Sequence, residues 1–167
     1  MTGSTEAVNT AHAFYSALNI GDGITTQSLL SRDITWITVG AWMNPITDEL
    51  QLLSEFINRS ISEYYAKGWS LTMNGRGPQE VLDRLTQKHA RFVPSSVEFK
   101  PTSGKIVVQG SYTGSSDTHV DEDEELRYAH VLSIEDGKIS RVMQFFYSFP
   151  ASPLTLQQTR QPGVVVQ

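Results

Sequence analysis

The chain contains no cysteine. Disulfides, thiolate nucleophiles, zinc fingers and cysteine-ligated iron–sulfur clusters are therefore excluded together. Long apolar runs are missing too, so no bilayer-spanning helix, which needs about 20 such residues, is expected. Proline and glycine are modest, 7 and 12 among 167 residues, which excludes collagenous and low-complexity chains. Bases are in deficit, 13 against 18 acids, for a formal net charge of −5. Such a chain repels phosphate backbones and anionic bilayers, so neither nucleic acid nor membrane is an expected partner. The first residues, Met1 to Leu18, lack a basic region followed by an apolar one. The sequence reads as that of a soluble, unprocessed, cytoplasmic protein.

What remains is ordinary globular material: 39% apolar and 10% aromatic residues. The length suits one domain with a sizeable core. Val8, Ala11, Tyr15 and Leu18 recur at helical spacing, with Phe14 beside them, which predicts a helix from Ser4 to Asn19. Gly21-Asp22-Gly23 ends it, and a short helix over 25–30 follows. Asp33 to Val39 is β-branched and aromatic, as strands are. Thr47 to Ala66 predicts a long helix, and Pro78 to Ala90 another, with His89 in its last turn. From there the period changes to two. Strands are predicted over 93–100, 105–114, 125–134 and 138–149, with Ser103-Gly104 and Glu135-Asp136-Gly137 as tight turns. Helices first and a consecutive antiparallel sheet after them argue for an α+β class. The domain is read as 1–150, followed by a C-terminal arm over 151–167.

Four phrases carry a resemblance. They are Ala13-Phe14-Tyr15-Ser16-Ala17-Leu18-Asn19-Ile20-Gly21-Asp22, Asp33-Ile34-Thr35-Trp36, Gly75-Arg76-Gly77-Pro78-Gln79-Glu80-Val81, and His130-Val131-Leu132-Ser133-Ile134-Glu135-Asp136-Gly137-Lys138-Ile139. With the order of elements, they make residues 5–149 resemble the nuclear transport factor 2-like superfamily, in particular its SnoaL-like polyketide cyclases. The resemblance implies a cystatin-like α+β barrel: a cone-shaped, curved antiparallel sheet wrapped around helices and enclosing an apolar pocket. It also implies a homodimer. Arg127, Arg141, Met143, Phe145 and Tyr147 are candidates for the outer sheet face. The segment from Ala41 to Asn74 is longer than the family's usual link. It reads as an inserted helix at about 45–68, either a lid on the pocket or an enlarged interface. Isomerases, dehydratases, epoxide hydrolases, cyclases and non-catalytic binders share the fold, so the chemistry must come from the site.

Alternation puts Leu126, Tyr128, His130, Leu132 and Ile134 on one strand face. SnoaL-like cyclases carry a histidine matching His130, which helps bind or protonate substrate. Their general base is an aspartate at the position of Gln144, and a glutamine cannot take that role. It can orient a carbonyl or a water. The base of ketosteroid isomerases falls at about Thr38, again without a carboxylate, and their helix-one tyrosine falls near Phe14 or Tyr15. The Asp-Arg-Asp network of limonene epoxide hydrolase is not evident. Replacement bases are His130 itself, Glu125 and Asp123, with Asp48, Glu49 and Glu55 on the long helix. The catalytic candidates are His130, Gln144 and Tyr15. Tyr112 and Tyr128 are further hydroxyls. Trp36, Thr38, Trp42, Met43, Tyr128 and Phe146 are the substrate-binding candidates, forming a wall suited to a fused-ring or isoprenoid compound. The acidic run 117–125 lacks the glycine and terminal glutamate of a calcium loop and reads as a solvated hairpin. No metal and no cofactor are expected. The function expected is a cofactor-independent isomerase or cyclase of secondary metabolism. Non-catalytic ligand binding and water-dependent epoxide or lactone hydrolysis are the alternatives.

Overall fold

The computed structural model describes residues 2–40, 61–66, 68, 70–101, 103–114 and 126–147. Its elements are α1 (Thr2–Ile20), α2 (Gly23–Ser28), β1 (Leu30–Gly40), α3 (Ile61–Ala66), β2 (Ser70–Arg76), α4 (Pro78–Gln87), β3 (Arg91–Lys100), β4 (Lys105–Thr113), β5 (Leu126–Glu135) and β6 (Lys138–Tyr147). The six strands form one sheet in the order β2-β1-β6-β5-β4-β3. All neighbours are antiparallel except β1 and β6, which run parallel.

Helix α1 forms because its apolar residues make one stripe. Ala11, Phe14, Tyr15 and Ala17 are buried, and Ala7, Val8 and Leu18 pack beside them. It stops where Gly21 takes a φ of +81°. The amide of Asp22 then bonds back to the Ala17 carbonyl and that of Gly21 to Leu18, closing the last turn. Asp22 at once caps α2 by accepting from the Thr25 amide at 3.1 Å. Helix α4 begins on Pro78 after Gly77 at φ +87°. It ends at Gln87, and His89 stands beyond it in a left-handed turn at φ +52°, outside the last helical turn where the sequence put it.

The sheet is bent by register shifts at Trp36/Ile37, Pro94/Ser96 and Ser133/Ile134. At the second of these, Gly110 is required: a Cβ there would lie 2.0 Å from the Val93 carbonyl. The core lies between α1, α4 and one sheet face, built from Leu30, Ile34, Trp36, Phe92, Val108 and Leu132 among others. The alternate positions Ile37, Val107, Ala129, Val131, Met143 and Phe145 are apolar and buried but belong to the opposite face.

The α+β class and the curved sheet agree with the sequence reading. Strand β2 does not appear in that reading. It is an edge strand, mostly exposed on both faces, so no clean alternation marks it. Of the long helix expected over 47–66, and of the lid at 45–68, α3 is seen; residues 41–60 lie outside the described residues, as do 115–125 and the arm at 151–167. No helix among the described residues is long and apolar enough to cross a membrane.

Candidate functional site

The register assembles the site. His130 on β5 is the direct partner of Gln144 on β6, and Gln144 is the partner of Thr38 on β1. Alternation turns all three toward the same face. Tyr15 reaches that face from α1. The Tyr15 hydroxyl lies 2.6 Å from His130 Nδ1, and His130 Nε2 lies 2.9 Å from Gln144 Oε1. Gln144 Nε2 donates to Thr38 Oγ1 at 3.0 Å, and the Thr38 hydroxyl donates to Asn74 Oδ1 on β2. One hydrogen-bonded chain thus runs from the helix across four adjacent strands, one residue on each.

The chain has a single direction. Tyr15 is 2% exposed and, among the described residues, its hydroxyl is bonded to His130 alone, which directs its proton at Nδ1. Nδ1 then accepts, Nε2 carries the ring proton, and Gln144 Oε1 receives it. The Gln144 amide and the Thr38 hydroxyl pass the same sense onward. Reversal would strand the Tyr15 proton in the core at a cost of roughly 1–3 kcal/mol.

His130 is 0% exposed. Burial penalises its cation and lowers its pKa from 6.5 to about 3, against a smaller opposing effect of the Gln144 hydrogen bond. The ring is a neutral imidazole with both nitrogens engaged. Burial, with the neighbouring Tyr128 second, raises the Tyr15 pKa well above its usual value, so it remains a phenol. This arrangement can polarise hydrogen bonds; it does not hold an imidazolium at neutral pH.

Aromatic rings enclose the histidine. Its ring centroid lies 4.6 Å from Tyr128, 4.7 Å from Phe92, 5.1 Å from Trp36 and 5.8 Å from Tyr15. Trp36 and Tyr128, both substrate-binding candidates, are thus members of a packed cluster around the relay. Phe146 is half-buried and packs on Tyr112 at 4.8 Å. Thr38 and Asn74 are half-buried as well, so the relay is closed at Tyr15 and more open at its β1–β2 end. Trp42 and Met43 lie outside the described residues, as do the replacement bases Asp48, Glu49, Glu55, Asp123 and Glu125. No group of three or more metal-ligating side chains occurs among the described residues. A groove of about 560 Å³ lies elsewhere, between the start of α1 and the β5–β6 turn, lined by residues such as Glu6, Thr10 and Asp136. It includes none of the candidate residues.

The structure brings together His130, Gln144, Tyr15 and Thr38 as one network. Asn74 is the member that the sequence reading missed. Asn74-Gly75 is a turn dipeptide, a local signal that hides a strand.

No protein-family model and no curated protein matches the chain. Solved structures do. A Kribbella flavida protein, provisionally described as a ketosteroid isomerase, superimposes with a TM-score of 0.54 at 14% identity, over 89% of this chain and 83% of that one. An NTF2-like protein from Burkholderia xenovorans gives 0.53 at 16% identity, over 85% and 89%. A cystatin-like protein of unknown function from Methylobium petroleophilum gives 0.54 at 11% identity, over 89% and 78%. The fold is therefore the NTF2-like, cystatin-like fold, as the sequence resemblance implied. At these identities the likeness establishes the fold alone.

Proposed function

We propose that the chain is a cofactor-independent isomerase or cyclase acting on a hydrophobic, polyketide- or terpenoid-like intermediate of secondary metabolism. The observation that carries the reading is the relay Tyr15–His130–Gln144–Thr38–Asn74 in an otherwise aromatic core. Burying so many polar groups is costly unless each is bonded, and apolar residues of similar volume would fill the same space at less cost. A chain of aligned donors that leads from a closed core to a half-open edge suits an oxygen that gains negative charge during reaction. The role supported for His130 is that of a neutral imidazole holding Tyr15 and Gln144 in this alignment. Holding a flexible intermediate folded against rings such as Phe146 supplies rate by proximity. The Kribbella protein's provisional description is of the same reaction class.

A second reading is non-catalytic ligand binding. Among the described residues the buried polar side chains are Thr26, Gln109, His130 and Gln144, so no described carboxylate is buried beside His130.

Native mass spectrometry of the protein from its source, followed by denaturing extraction and re-addition of whatever is released, separates these readings. The isomerase reading expects an apolar compound converted to a product of equal mass. It also expects conversion at least about tenfold slower by folded His130→Phe, a loss of about 1.4 kcal/mol in transition-state stabilisation. A compound returned unchanged supports the binder. Labelled oxygen from water in the product would support hydrolysis instead.

A further inference from the structure

The β1–β2 ladder is interrupted at one place. Trp36 pairs with Gly75 and Ile37 with Met73, so Asn74 is an extra residue without a partner of its own on β1. Such a bulge re-aims one side chain out of the strand's alternation. Here it brings the Asn74 carboxamide to Thr38, whose hydroxyl donates to Oδ1. Gly75 permits the arrangement beside it: a Cβ there would lie 2.9 Å from Val81 Cγ2, so only glycine lets α4 pack this close.

The relay gives Asn74 its chemistry. Every bond in it points toward β2, and the last acceptor is Asn74 Oδ1. The Nδ2 hydrogens make no hydrogen bond to a described residue. An amide whose oxygen already accepts a bond is polarised and donates more strongly through its nitrogen. Asn74 is half-buried, whereas Met73 beside it is 41% exposed. A polarised NH2 group with no partner among the described residues therefore stands at the open end of a chain of uncharged groups. A neutral carbonyl oxygen matches it better than a carboxylate, which would find no cation in the relay.

We propose that Asn74 is the residue that reads the ligand, donating from Nδ2 to a ketone or enone oxygen of an apolar ring compound, and that the bulge in β2 serves to present it. This rests on the reading above that the site takes an apolar ligand.

Two planar probes of matched shape test it on the full chain: 2-acetonaphthone, which carries a carbonyl, and 2-isopropenylnaphthalene, which has a methylene in its place. Binding is measured by titration calorimetry. The ketone should bind about five- to tenfold more tightly than the olefin, the worth of one hydrogen bond. Asn74→Asp keeps an oxygen for the Thr38 hydroxyl but has no N–H. Asn74→Leu removes both. Each should bind the olefin as the wild type does and lose the preference for the ketone. Equal binding of both probes by the wild type, or a preference that survives in Asn74→Asp, overturns the role of Asn74 and leaves the apolar site standing. Failure of the wild type to bind either probe overturns the apolar site itself and this proposal with it.

Discussion

At the scale of single residues, the account depends on partners more than on the residues themselves. Tyr15→Phe removes one oxygen and leaves His130 Nδ1 without a donor in a site that water does not reach. The expected loss is about 1–3 kcal/mol, read as a lower urea midpoint at unchanged m-value. Tyr15→Phe combined with His130→Phe should cost less than the two single losses added, because the second change removes the stranded acceptor. His130 also sets a pH dependence. In the unfolded chain it titrates near 6.5, and in the folded protein at about 3. Between these values the unfolded state holds more protons, so stability falls as pH drops from about 6.5 toward about 3 and is fully present above 6.5. Urea midpoints measured across that window should fall more steeply for wild type than for His130→Phe. The residue types of this network were legible in the sequence, since alternation placed His130 inward and the family resemblance singled out Gln144 and Thr38. Its protonation state was not, because that depends on how completely Trp36, Phe92 and Tyr128 exclude water.

At the scale of elements, the attachment of α1 to the sheet rests on a side chain that imitates a strand. Asn19 Nδ2 donates to the Phe92 carbonyl at 2.7 Å, and its Oδ1 accepts from the Phe92 amide at 3.2 Å. The edge of β3 is thereby paired, and the end of α1 is fixed where Tyr15 can meet His130. Asn19→Ala leaves both backbone groups of Phe92 without these bonds. It should lower the unfolding free energy by about 2 kcal/mol, whereas Asn9→Ala, exposed on the same helix, should change it by less than about 0.5 kcal/mol in the same denaturation experiment. Helices α1 and α4 and strands β3 to β6 could be read from periodicity because each has one buried and one exposed face, or a dense apolar run. Strand β2 could not. It is short, at the sheet edge and interrupted by a bulge, and its Asn74-Gly75 pair carries the local signal of a turn. The functional residue that the sequence concealed sits in the element that the sequence concealed, for the same physical reason.

At the scale of the whole molecule, the topology brings distant parts of the chain to one end. The registers place Gly40, Ser70, Arg91, Thr113, Leu126 and Tyr147 at the same end of the sheet. The open members of the relay and Phe146 lie toward that end, with α4 packed against β1 and β2 and α1 mainly against β3. The opposite face pairs Ala129 with Phe145 and Val131 with Met143, all buried within the chain, and Arg127 and Arg141 flank them on that face. No local feature of the sequence announces the parallel pairing of β1 with β6, because its partners are more than a hundred residues apart. Yet that pairing sets Thr38 beside Gln144 and makes the relay continuous. The central claim is that this relay is neutral and runs in one direction. Nitrogen-15 NMR of the His130 ring between pH 8 and pH 4 tests it most directly. The account predicts a single tautomer, protonated at Nε2 and bare at Nδ1, with no titration across that range. A ring protonated at Nδ1, or one that takes up a second proton near pH 6.5, would contradict it.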